Sequence, residues 1–161
     1  MKLVYLVLLC AVSAQAAGAC VFKSNLSPFP AEAATLVDTA ELPAPEIEAT
    51  QVTRGLGGGA TCDALGFLSV QLRWPRGSRW NLEQIGFEYR LVSGEAPDGM
   101  LPDGIVRSPA TGRRAEHQFT WPDGTPDRQQ ALRLQLEVRA VTPDRQRGPP
   151  VLLRIDASPG S

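Results

Sequence analysis

Histidine occurs once in this chain, at position 117; cysteine occurs three times, at positions 10, 20 and 62, and aromatic residues make up only 6% of the 161 residues. Each shortage removes a class of chemistry. One histidine and so few cysteines do not complete a zinc set. A nucleophile and base pair would have to be built on His117 alone, with no second histidine or reactive cysteine beside it. Charge of one sign is lacking too: 16 basic against 17 acidic residues leave a net charge of −1, so no field gathers nucleic acid or an anionic membrane surface. No Asp-x-Asp-x-Asp-Gly calcium loop is present. The glycine run Gly55 to Gly59 lacks the Lys-Ser/Thr ending of a phosphate loop and reads as a flexible turn.

What the chain does have begins at its start. Lys2 precedes an almost unbroken apolar run from Leu3 to Val12, and small residues follow to Ala19, just ahead of Cys20. This is the pattern of a secretory signal peptide over residues 1–19, with a second cut available after Ala16. The run is too short for a membrane span, so no span is expected in the mature chain. About 140 residues remain, enough for one domain, and loss of Lys2 takes the net charge from −1 to −2. All remaining cations except Lys23 are arginine.

Two cysteines in an exported chain predict a disulfide, and a Cys20–Cys62 bridge would stabilise by roughly 4 kcal/mol in the chain-entropy account. The competing expectation is a lipid on Cys20, as in a bacterial lipoprotein, although Ala17 stands where such signals usually carry Leu. Residues 20–45 are rich in Ala and Pro without a sustained period. They read as a leader or tether, with room for a short helix from Ala31 to Leu42 or a short strand at Thr35-Leu36-Val37. Asn25-Leu26-Ser27 is a formal glycosylation acceptor, followed by Pro28.

From Glu46 the pattern becomes a two-residue alternation, which places apolar side chains on one face of a strand. Leu68, Val70, Leu72 and Trp74 share a face; so do Ile85, Phe87, Tyr89 and Leu91, then Ala115, His117, Phe119 and Trp121, then Leu132, Leu134, Leu136, Val138 and Ala140. Val151, Leu153 and Ile155 close the series, and Ile47 and Ala49 open it. Six half-buried strands require two facing sheets. The breaks at Pro75 to Ser78, Asp123-Gly124 and Arg147 to Pro150 carry turn chemistry. One connection, Ser93 to Arg114, is long.

Leu68-x-Val70-x-Leu72-x-Trp74, Ile85-Gly86-Phe87-Glu88-Tyr89-Arg90 and Leu134-x-Leu136-x-Val138-x-Ala140-Val141 followed by Gly148-Pro149 resemble the B, C and F strands of a fibronectin type III domain. The resemblance covers about Pro45 to Ala157. It implies an all-β, immunoglobulin-like two-sheet sandwich over residues 46–157 with a tail at 158–161, and adhesive or spacer roles without catalytic residues or cofactors. Where that family's F strand carries a corner tyrosine this chain has Leu134, so a more general immunoglobulin-like sandwich stays open.

The expected function is accordingly non-catalytic. The chain reads as a secreted or periplasmic protein that binds, adheres or plays a structural part at the cell envelope, with a protein or envelope partner; the lipid-anchored form is the runner-up. His117 falls on an apolar register and is expected to pack. Asp98, Asp103 and Asp123 each precede Gly and read as turns, while convergence of loop carboxylates would revive a small exported hydrolase, and a gathering of Asp123, Asp127 and Asp144 a calcium site. Candidate contact residues are Trp80, either an exposed anchor or a lid on the core, and Met100, Leu101, Ile105 and Val106, either a patch or an extra edge strand.

Overall fold

The computed structural model describes residues 23–57 and 62–161. Eleven strands follow in chain order: β1 (Ser27–Pro28), β2 (Val37–Asp38), β3 (Glu46–Thr53), β4 (Leu65–Arg73), β5 (Gly86–Ser93), β6 (Val106–Arg107), β7 (Ala110–Thr111), β8 (Arg114–Pro122), β9 (Leu132–Val141), β10 (Gln146–Arg147) and β11 (Val151–Ala157). Two short 3-10 turns, Cys62–Ala64 and Leu82–Gln84, lead into β4 and β5. One sheet is ordered β3-β4-β8-β7; the other runs β1-β6-β5-β9-β10-β2, with β11 also paired to β9. The chain is therefore all-β with two sheets, and the six alternating segments supply its six long strands.

Alternation decides the core. Leu68, Val70 and Leu72 of β4 meet Phe119, His117 and Ala115 of β8 in register, and their inner faces pack against Phe87, Tyr89, Leu136 and Val138 of the other sheet. Trp74, just beyond β4, is buried, and its indole N–H donates to the Trp80 carbonyl at 2.7 Å. Trp121 lies over Gly66, its partner in the ladder: a Cβ there would stand 2.1 Å from the indole. Glycine is required at position 66 by that approach.

Two expectations are corrected. Ile47 and Ala49 do not share a face, because a bulge between them shifts the register of β3 on β4; Ile47 is half-buried, Ala49 is exposed, and Val52 continues the inward set. One extra residue turns the alternation over. Nor are residues 23–45 a free tether ahead of a domain that starts at Glu46. β1 pairs antiparallel with β6, and β2 pairs parallel with β10, at opposite edges of the larger sheet. Phe29 and Leu42 are buried, Leu42 to 1% exposure. A Cβ on Gly86 would come within 2.5 Å of the Phe29 ring, so glycine there makes room for the leader. No helix forms between Ala31 and Leu42, and the short strand falls at Val37–Asp38. The Ala- and Pro-rich composition hid this role because the leader packs through single anchors rather than through a periodic face.

Candidate functional site

A polar cleft lies at one end of the sandwich, where β3 leaves its sheet, β8 turns into the segment before β9, and the loop after β5 begins. The cleft, of about 500 Å³, is lined by Arg54, Glu95, Asp98, Asp123, Arg128 and Arg133, among others. Its floor is an ion pair that the sequence does not announce. Arg54 follows β3 directly, and Asp123 follows β8 in an Asp-Gly turn; Nε of Arg54 donates to Oδ2 of Asp123 at 2.9 Å and Nη2 to Oδ1 at 3.1 Å. Both side chains are buried. The third guanidinium contact, Nη1 to the Gln130 carbonyl at 2.9 Å, ties the pair to the segment before β9.

Asp123 is fully engaged. Besides Arg54 it accepts the backbone N–H of Gly55 at 2.9 Å and of Gly124 at 3.1 Å, and the Gln129 carboxamide at 3.2 Å. Burial by itself would raise its pKa, but the hydrogen bond from Arg54 and those from the two backbone amides outweigh burial and hold it below the usual carboxylate range. A carboxylate kept ionised in this way accepts hydrogen bonds and does not act as a general acid. The cleft does bring Glu95 and Asp98 near Asp123, the convergence on which a hydrolase reading depended, yet Asp123 itself is neutralised by Arg54. Asp103 lines a different depression. Asp123, Asp127 and Asp144 do not gather: Asp144 is tied to Thr142 and Gln146 in the turn before β10. Among the described residues no group of three or more His, Cys, Asp or Glu could hold a metal ion.

His117 sits elsewhere, fully buried between the sheets. Its Nδ1 is 2.7 Å from the Tyr89 hydroxyl, and its ring meets Phe87 edge to face at 4.9 Å. Burial pushes its pKa down to about 3 and raises that of the Tyr89 phenol. The imidazole is neutral and closed to solvent, as its place on an apolar register predicts.

The candidate contact residues divide. Met100 and Val106 are buried in the core, while Leu101 is half-buried against it; Val106 begins β6, which pairs with β5 at Phe87. They cannot form a surface patch with Ile105, which is half-buried against the leader near Phe29. Of the two readings the structure gives the added strand, because the connection after Ser93 crosses between the sheets and contributes β6 to one and β7 to the other. Trp80 packs partly buried over the core's end, with the Arg79 guanidinium 5.6 Å from its ring centroid; it is the lid rather than a projecting anchor.

The leader meets β8 through side chains. Asn25 donates Nδ2–H to the Glu116 carbonyl at 2.8 Å and accepts the Gln118 N–H on Oδ1 at 2.9 Å, and Ser24 donates to the Gln118 carbonyl at 2.6 Å. The carboxamide of the glycosylation acceptor thus stands in for a strand backbone. Cys62 is not a free thiol. Cys20 and the whole signal segment, residues 1–19, lie outside the described residues. Among the described residues no helix is long and apolar enough to cross a membrane. The chain matches no family model, no curated protein and no solved structure.

Proposed function

We propose that the chain is an exported, non-catalytic binding or structural module of the cell envelope or extracellular space, built as an immunoglobulin-like sandwich of the fibronectin type III kind. The strand grouping supports the fold reading: β5, β9 and β11 lie in one sheet and β3, β4 and β8 in the other, the division of C, F and G strands from A, B and E in immunoglobulin-like sandwiches. The observation that carries the functional reading is the use to which the groups suited to catalysis are put. The sole imidazole is spent on Tyr89 in the core, and the most constrained carboxylate on Arg54. What stays open to a partner is the mixed-charge rim of the end cleft, where Arg128, Arg133, Glu95 and Asp98 are exposed.

The export reading includes a Cys20–Cys62 bridge. Its support is that Cys62 has a partner and that Ser24 and Asn25 already hold the leader on β8, four residues after Cys20. A chain so fastened from residue 24 onward suits a soluble exported domain better than a lipid-bearing Cys20 on a long tether. Fractionation of the native host, with detergent phase partitioning, tests this. The protein is expected in the soluble exported fraction, and a photocrosslinker at Arg128 is expected to capture a partner there. Recovery in the detergent phase would establish the lipid anchor instead, and recovery in the cytoplasm would overturn export.

A further inference from the structure

Sheet edges expose unpaired backbone groups and invite pairing with another chain unless they are guarded, and this molecule guards nearly all of its own. β3 has a bulge after Ile47 and two glutamates, Glu46 and Glu48, in ion pairs with Arg73 and Arg114. The free half of β5 is bulged between Leu91 and Ser93. β6 is covered by β1, which ends at Pro28, and β10 by β2. Beyond β7 the edge of β8 is occupied by Ser24 and Asn25. β11 is the least guarded among the described residues: it lacks a bulge and a covering strand in its own sheet, although it passes close to β3 of the facing sheet. It pairs with β9 in unbroken register from Val151 to Ala157, contains no proline, and among the described residues no backbone hydrogen bond reaches its outer side.

The side chains of β11 select an occupant. Leu153, Ile155 and Ala157 point into the core, leaving Leu152 (53% exposed), Arg154 and Asp156 on the outer face. Leu42 and Pro43 lie against Gly148, three residues ahead of the strand, and within the strand the exposed Arg154 and Asp156 stand on either side of Ile155. We propose that the stretch around Ile155 pairs antiparallel with the same stretch of a second copy, across a twofold axis at Ile155. In that register Arg154 of each copy stands opposite Asp156 of the other, giving two cross-strand pairs of opposite charge. Moving the axis one residue to Arg154 would set two arginines against each other. Five to seven residues a side is well short of the roughly 20 to 30 of a standing interface, so the dimer forms only at high local concentration, as on a crowded envelope.

Sedimentation of the mature protein over a wide concentration range tests this, using Arg154→Asp, Asp156→Arg and the double exchange. The wild type is expected to dimerise with concentration, Arg154→Asp to weaken the dimer at least tenfold, and the double exchange to recover most of the loss. Asp156 also faces Arg133 within the protomer, so its single reversal is read beside a thermal melt, whereas Arg154, opposite Gln135, gives the cleaner comparison. A wild type monomeric at every concentration would overturn the proposal. So would a dimer indifferent to Arg154→Asp, or one that the double exchange fails to restore.

Discussion

The Tyr89 hydroxyl and His117 Nδ1, 2.7 Å apart, join the two sheets across the middle of the core. Tyr89 comes from β5 and His117 from β8, and neither side chain reaches solvent to any useful degree. The pair links two strands of different sheets, and burial keeps the imidazole neutral.

Stability should therefore depend on pH through His117. Its folded pKa, about 3, lies below the ordinary 6.5, so the unfolded chain binds the extra proton between those values. Its contribution is intact above pH 6.5 and is lost as pH falls towards 3, at up to about 1.4 kcal/mol per pH unit. Chemical denaturation from pH 8 to 4 is expected to show this slope, and His117→Gln to flatten it. Tyr89→Phe leaves Nδ1 buried without a partner and should cost about 1–3 kcal/mol at pH 7.5.

Breaking the Arg54–Asp123 pair from one side leaves a buried charge. Arg54→Ala or Asp123→Ala is expected to destabilise by about 3–5 kcal/mol, and the double variant by less than the sum. The lowered pKa of Asp123 gives this pair the same sign of pH dependence at lower pH: its contribution is present above the ordinary carboxylate value near 3.8 and lost as pH falls through the folded value. Urea melts of the single and double variants check both points.

The leader is part of the fold, so shortening it should cost stability. Leu42→Ala removes a side chain buried to 1% exposure and is expected to cost about 2–5 kcal/mol. Gly86→Ala drives a methyl into the Phe29 ring and should release the first part of the leader. Hydrogen exchange would read that release as faster exchange at Phe29, whose N–H is bonded to the Ile105 carbonyl. Unchanged melting after removal of residues 20–45 would contradict the packing described.

Gly66→Ala tests the close approach of Trp121. The added Cβ has no room, and overpacking of this kind costs about 1–3 kcal/mol or more. Near-ultraviolet circular dichroism of the tryptophans should change with it.

Much of this architecture is legible in the chain because a two-residue period has a single structural meaning. The long strands other than β3 carry it unbroken, and His117 declares its burial by standing between Ala115 and Phe119. The bulge that exposes Ala49 is invisible, since an inserted residue alters the phase without altering composition. The leader is hidden for another reason: Phe29, Leu42 and the Asn25 carboxamide act singly, at contacts that only the tertiary fold assembles. Arg54 and Asp123 are 69 positions apart, and an Asp-Gly dipeptide signals a turn whether or not an arginine waits beside it.

The most direct test of the central claim, an exported sandwich with its leader locked in place, is the intact mass of the mature protein from its native host, taken before and after reduction with thiol alkylation. The account predicts a chain beginning at Ala17 or Cys20, with both cysteines closed to alkylation until reduced. A lipid-sized addition on Cys20, or a chain that retains residues 1–19 with cysteines that alkylate freely, would contradict it.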